Sequence, residues 1–184
     1  MSIIYGRHVR LRAVEREDVN KFHEWVNDPE VTHSLALYLP MSLADEENWF
    51  ESISKRDPKE RPLAIEVRKG RNWNLIGNCG VFDLDTVNRS AELGIMIGEK
   101  SEWNKGYGAE AMTLLLRHCF ETLNLHRAFL RVYVDNVRAV RSYEKAGFVL
   151  EGRLREAVYK FGKYEDVLVM GVLRSEWASR KEEK

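Results

Sequence analysis

The 184-residue chain predicts a single α+β domain built on one mixed β-sheet, on three observations. Residues 63–67, 74–82 and 91–97 are three strand patterns joined by short turns, which makes an antiparallel meander. A long amphipathic helix then separates the third strand from another apolar strand pattern at residues 126–134, and a strand, helix, strand order of that length requires a parallel pair. Residues 148–159 and 164–173 close the chain as a hairpin around Phe161, Gly162 and Lys163. The length suits one sizeable hydrophobic core, and no repeat, low-complexity linker or second domain interrupts it.

In chain order, Val9, Leu11 and Ala13 alternate with Arg10 and Arg12 as a short strand. Glu15 to Asp18 open an amphipathic helix through Val19, Phe22, His23 and Val26, which Asp28 and Pro29 terminate. Ser42 to Asp45 has the form of a capping box with a shortened acid, and Trp49, Phe50 and Ile53 give the helix behind it an apolar stripe. Between these helices the mixed segment 31–41 holds Tyr38, Leu39 and Pro40, able to line a pocket or to pack between helices. Ala109, Met112, Leu115, Leu116, Cys119, Phe120 and Leu123 trace the broad face of a helix that starts near Ala109 and ends near Asn124. Asp135 and Asn136 begin a shorter helix that stops at Ala146 and Gly147, where the glycine suits a left-handed cap. Residues 175–184 read as a polar tail.

Charge and cysteine content narrow the function classes. Lys plus Arg and Asp plus Glu number 29 each, so no bulk field favours nucleic acid or an anionic membrane. The first residues are too weakly apolar for a signal peptide, and no run approaches the roughly 20 apolar residues of a membrane span, so a cytoplasmic protein is expected. Cys79 and Cys119 have no redox or metal spacing and read as reduced packing groups. The five histidines are scattered without ligand spacing, so no metal site is expected, and only His33 lies where an acceptor could touch it. Arg138, Arg141 and Lys145 recur at helical spacing and read as a solvated face rather than a nucleic-acid surface.

Two stretches carry chemistry. Trp103, Asn104, Lys105, Gly106, Tyr107 and Gly108 join a strand to a helix, where the first helical amides are unpaired and the helix dipole is positive. Phosphates bind well there, glycines let them approach, and Lys105 adds charge at the rim. The second is the helix behind Asn136. Asn136 and Tyr143 are separated by two turns, about 10 Å along one face, with Ala139 and Val140 between them. An amide, a small-residue track and a phenol suit an extended ligand that needs hydrogen bonds and then an acid. Coenzyme A has that layout, with phosphates at one end and a reactive group at the other.

Those residues resemble the GNAT superfamily of acetyl-CoA-dependent N-acetyltransferases, and within it the spermidine acetyltransferases and the acetylases of ribosomal-protein N-termini. Residues 92–108 are similar to its pyrophosphate loop and residues 136–148 to its pantetheine and catalytic-acid helix, in the right order and spacing. The likeness spans nearly the whole chain and is weakest over residues 29–61. It implies a splayed sheet with helices on both faces and acetyl-CoA wedged between the strands of Ile97 and Val132. It further implies that the backbone of Ile95, Met96 and Ile97 holds the pantetheine and polarises the thioester. The amides from Asn104 through Lys105, Gly106, Tyr107 and Gly108 to Ala109 would hold the pyrophosphate, with Asn136 on the pantetheine arm and Lys145 a further coenzyme contact. Trp103 stands where many members have Gln or Arg, so an indole contact replaces those hydrogen bonds.

An amine attacks only when neutral, and an alkyl ammonium has a pKa of about 10, so the site must also accept a proton. Glu92 shares a strand face with Gly94 and Met96 and is the expected base, acting through water, or an anionic contact for the acceptor; a solvated or salt-bridged strand carboxylate is the alternative. Tyr143 is expected to protonate the departing thiolate as the amine attacks the thioester directly in a ternary complex. The acceptor is a small polyamine-like amine or a protein N-terminus, and a homodimer is left open. A non-catalytic acyl-CoA sensor is the competing function.

Overall fold

Alternation of residue types sorts each central strand into two faces, and two hydrophobic layers follow from it. In the computed structural model, which describes residues 3–182, strands β1 (Ile4–Tyr5), β2 (Val9–Ala13), β3 (Leu63–Lys69), β4 (Asn72–Asp85), β5 (Ser90–Ile97), β6 (Arg127–Tyr133), β7 (Val149–Lys160) and β8 (Lys163–Leu173) form one sheet. Its order is β1-β2-β3-β4-β5-β6-β8-β7. β5 and β6 pair in parallel and every other neighbouring pair is antiparallel.

Helices α1 (Val19–Val26), α2 (Pro29–Thr32), α3 (Leu43–Ile53), α4 (Tyr107–Arg117), α5 (Val137–Ala146) and α6 (Arg174–Glu182) connect and flank the strands. One layer joins Leu11, Ile65, Val81, Leu93 and Leu130 of the sheet to Met112, Leu115, Phe120 and Tyr143 of the α4 and α5 side. The opposite layer joins Ala64 and Met96 to Phe22, Trp25 and Ile53 of α1 and α3. Helices on both faces of a mixed sheet are the expected architecture.

Local chemistry fixes the ends of these elements. The Ser42 hydroxyl accepts from the Asp45 amide at 3.1 Å while Asp45 accepts from the Ser42 amide at 2.8 Å, the reciprocal box anticipated for α3. Gly147 closes α5 at φ 116°, donating to the Tyr143 carbonyl at 2.9 Å.

Three features depart from the sequence reading. The residues read as a polar tail form α6 instead, with the Trp177 ring 5.4 Å from Phe120; an aromatic anchor helps to dock an otherwise polar helix. Glu183 and Lys184 of that tail lie outside the described residues. β1 was not anticipated, since two residues carry no period, and it exists through pairing with Leu11 and Arg10. Finally, α4 starts at Tyr107 and gives way to a π turn over His118–Thr122, so that His118, Cys119 and Phe120 are buried in succession.

Candidate active site

The site begins with a failure of strand pairing. β5 and β6 are in register only at Ser90 with Arg127, Ala91 with Ala128 and Glu92 with Phe129. Beyond Glu92 the strands separate, leaving Leu93 to Ile97 without a partner on that edge while β4 still pairs with the other. The wedge is continuous with a cleft of about 1290 Å³ lined by Ile95, Met96, Ile97, Val132, Tyr133 and residues of the adjoining loop and α5. An unpaired edge presents amides and carbonyls to any extended chain that enters.

The glycine loop stands at one end of this wedge. Asn104 at φ 61° and Gly106 at φ 85° are left-handed and turn the chain into α4. A Cβ at Gly106 would meet no atom within 4 Å, so glycine is there for its backbone angle and not for want of room. The first intrahelical bond runs from the Glu110 amide to the Gly106 carbonyl at 3.1 Å. Ahead of it, the amides of Gly106, Tyr107, Gly108 and Ala109 donate to no acceptor among the described residues. Lys105 is held by Glu102 at 3.2 Å, and Lys69 reaches the same carboxylate at 2.9 Å.

α5 borders the loop, with Ser142 Oγ 4.0 Å from where a Cβ of Gly108 would lie. Asn136 is its N-cap, accepting from the Ala139 amide at 3.1 Å, so the carbonyl end of this amide is occupied by the helix itself. Ala139, Ser142, Tyr143 and Lys145 line the cleft, whereas Val140, expected on the same track, packs into the core. Tyr143 is 7% exposed, its ring set edge-on to Phe148 at 5.9 Å. Its hydroxyl bonds no group among the described residues, and burial pushes the phenol up to about 12. The helix therefore points a fully protonated phenol into the cleft.

Trp103 has a structural task that its position alone did not reveal. Its indole N–H donates to the Ile97 carbonyl at 2.7 Å, and the Arg138 guanidinium lies 3.5 Å from its ring centroid. The indole thus ties the end of β5 to the loop and carries a cation from α5 over the cleft. Arg138 is correspondingly not part of a purely solvated face but a cleft residue, and burial lowers its pKa. Gly98, immediately after β5, packs under Trp25, whose ring a Cβ would meet at 2.0 Å.

On the α1 and α3 side, Glu92 sits at the apex of the split, 18% exposed, with both carboxylate oxygens held by the Arg131 guanidinium, one at 3.0 Å. Both residues line the cleft. Glu46 of α3 belongs in sequence to a run of helix-end acids, yet it is 6% exposed and lines the same cleft. Its signal was present: Glu46, Trp49, Phe50 and Ile53 fall at i, i+3, i+4 and i+7, which puts the carboxylate on the inward stripe.

His33 lies outside the cleft lining, paired with Asp135 at 3.2 Å and stacked on Phe161. Tyr38 lines the cleft and, with Leu39 and Pro40, a smaller adjacent cavity of about 400 Å³. At that boundary Lys160 donates to the carbonyls of Thr32, at 2.6 Å, and Leu35, ringed by Tyr38, Tyr133 and Phe161. Cys79 and Cys119 are free and buried, and burial raises both thiols, Cys119 to about 12.

A split parallel pair, a run of amides at a helix start that donate to no acceptor among the described residues and a buried phenol on the next helix meet in one cleft. The chain matches the family described as an acetyltransferase (GNAT) domain over residues 8–149, and it belongs to that family. It is accordingly an N-acetyltransferase with acetyl-CoA as donor. It is similar to the spermidine N(1)-acetyltransferase of Vibrio cholerae serotype O1, 34% identical over 172 residues that cover 94% of this chain and 96% of that protein. YdaF of Bacillus subtilis (strain 168), provisionally named a ribosomal N-acetyltransferase, is 27% identical over 178 residues, covering 96% of this chain and 97% of that one. Among solved structures, the Vibrio cholerae spermidine N-acetyltransferase in complex with CoA and spermine superposes with a TM-score of 0.84 at 32% identity, covering 93% and 98% of the two chains. Among the described residues no helix is long and apolar enough to cross a membrane.

Proposed function

We propose that the protein moves the acetyl group of acetyl-CoA to a primary amine of a small polyamine by direct attack in a ternary complex. The observation that carries the mechanism is the buried Tyr143 side chain, its hydroxyl bonded to no group among the described residues and lining the cleft where β5 and β6 part. The acceptor class is supported by the likeness to spermidine acetyltransferases and by the cleft carboxylates Glu30, Glu46 and Asp83 on the acceptor side.

In this reading the free amides of Gly106, Tyr107, Gly108 and Ala109, with Lys105, Lys145 and the Trp103-mounted Arg138, hold the phosphates. The unpaired edge from Leu93 to Ile97 takes the pantetheine as an added strand, and Asn136 contributes its amide nitrogen. The amine nitrogen forms its bond to the thioester carbon as the carbon–sulfur bond breaks. Tyr143 gives its proton to the sulfur, and the proton lost by the amine leaves through water in the cleft. Tyr143 enters every turnover protonated, because its raised pKa lies far above physiological pH. Glu92 has both oxygens engaged by the Arg131 guanidinium, so accepting a proton would weaken that fork, and the salt-bridged alternative fits it better: it locks the apex of the split.

The test is release of free thiol from acetyl-CoA in the presence of spermidine, spermine, aminoglycosides or N-terminal peptides. Turnover with polyamines in preference to peptides is the expected result. Preference for peptides would reassign the acceptor to a protein N-terminus, and tight coenzyme A binding with no turnover of any amine would make the protein a sensor. The long edge strand β7, with Val149, Leu150 and Leu154 exposed, is where a homodimer would form.

A further inference from the structure

Glu46 is the one carboxylate lining the cleft that is both buried and unpaired among the described residues. Glu92 is forked by Arg131, Glu30 meets Lys100 at 3.1 Å, and Glu102 is held by Lys69 and Lys105. Asp83 belongs to an exposed bulge at the far end of β4. Among the described residues the Glu46 side chain has no hydrogen bond and no ion pair, and Phe22, Val26, Met41 and Trp49, which line the same cleft, are apolar or aromatic. The titratable groups that act on it electrostatically are His23 of α1 and Asp45 of its own helix. His23 already bonds the Met41 carbonyl at 3.0 Å, and Asp45 is tied into the cap of α3.

Such a placement is costly unless something compensates it. A carboxylate removed from water without a partner is strongly disfavoured in its charged form, and burial does raise the Glu46 pKa. The positions that share its stripe, Trp49 and Ile53, are hydrophobic and pack against the sheet, which sets the acid apart from them. What would compensate it is a cation arriving in the cleft, whose lining also includes the aromatic rings of Phe22 and Trp49. Trp49 and Ile53, on the same stripe of α3 as Glu46, share a hydrophobic cluster with Met96 of β5, so the helix that carries this carboxylate packs towards the strand that would hold the thioester.

We infer that Glu46 is the specificity-determining carboxylate that holds an ammonium group of the acceptor in the cleft. The inference rests on the amine-acceptor reading above and gives it a residue: a polyamine presents one neutral amine to the thioester while another of its nitrogens stays charged and pairs with Glu46. The residue binds and orients; it takes no proton from the reacting amine.

The experiment compares wild type, Glu46→Gln and Glu47→Gln. Glu47 is an exposed neighbour whose replacement makes the same charge change without touching the cleft. Spermidine and a monoamine of matched length are assayed by thiol release, and spermidine binding to the coenzyme A complex is measured by calorimetry. Glu46→Gln should raise KM for spermidine about 10- to 100-fold, the range of a lost charge-assisted hydrogen bond. It should leave kcat within about twofold, weaken spermidine binding in parallel, and barely alter the monoamine. Glu47→Gln should match wild type, and thermal melting of both variants checks the fold.

Equal spermidine parameters for wild type and Glu46→Gln would overturn the assignment while leaving the polyamine reading intact. A fall in kcat with KM unchanged would also overturn it, since that is the signature of a base. Wild type that binds acetyl-CoA but neither binds nor acetylates any polyamine would overturn the acceptor reading itself.

Discussion

Replacing Tyr143 by Phe removes one oxygen atom and isolates the proposed acid. The hydroxyl bonds no group among the described residues, so its loss orphans no partner, and Phe keeps the edge-on contact with Phe148 at 5.9 Å. Stability near neutral pH should therefore change by less than about 1 kcal/mol. The rate should fall far more, because a positioned acid is worth about 10²- to 10⁴-fold. Free-thiol release under saturating acetyl-CoA and amine reads this as a drop in kcat of at least about 100-fold, with acetyl-CoA affinity preserved in calorimetry.

The same substitution has a pH signature in stability. Tyr143 has a folded-state pKa raised to about 12 from an ordinary value of 10, so its contribution is complete below about pH 10 and is lost as pH rises towards 12. Between pH 9 and 11 wild type should lose about 1 kcal/mol relative to Tyr143→Phe, measured by denaturant unfolding. Normal turnover by Tyr143→Phe would refute the acid assignment, and equal unfolding curves at pH 11 would refute the buried placement of the phenol.

Three further perturbations probe the donor site and the apex of the split. Gly106→Leu forces a side chain into a φ of 85°, at about 1 to 2 kcal/mol of backbone strain, beside the free amides; coenzyme A affinity should fall more than tenfold, and unchanged affinity would remove the loop from the phosphate site. Arg138→Ala should weaken acetyl-CoA binding by about tenfold and flatten its salt dependence, whereas unaltered binding would return Arg138 to the solvated face. Glu92→Gln should lower kcat by less than about tenfold and stability by no more than about 1 kcal/mol, since Arg131 is half exposed, and a loss of about 1000-fold without unfolding would restore Glu92 as the base.

Much of the donor side was legible because it is local. The loop from Trp103 to Gly108 and the helix from Asn136 to Gly147 are contiguous, and their angles, caps and spacing follow from neighbours within a few residues. The mixed sheet was legible for the same reason, since each strand pattern and connection length is a local fact. Residues 174–182 were misread because the contacts that dock them, such as Trp177 on Phe120 and Arg180 beside Gly147, are distant in sequence.

By itself, then, the sequence determined the order of the strands and helices from β2 to β8, apart from the short α2, together with the amide-rich turn and the phenol two helical turns beyond Asn136, all set by short-range chemistry. Tertiary structure alone decided how charges meet. Glu92 finds Arg131 only because β5 and β6 lie side by side up to the split, and Trp103 carries Arg138 only because α5 borders the loop. Glu46 becomes a lone buried carboxylate only because α3 folds its inward stripe onto the cleft. Electrostatic partnership depends on distance in space and on exclusion of water, and neither is a property of residues read one after another.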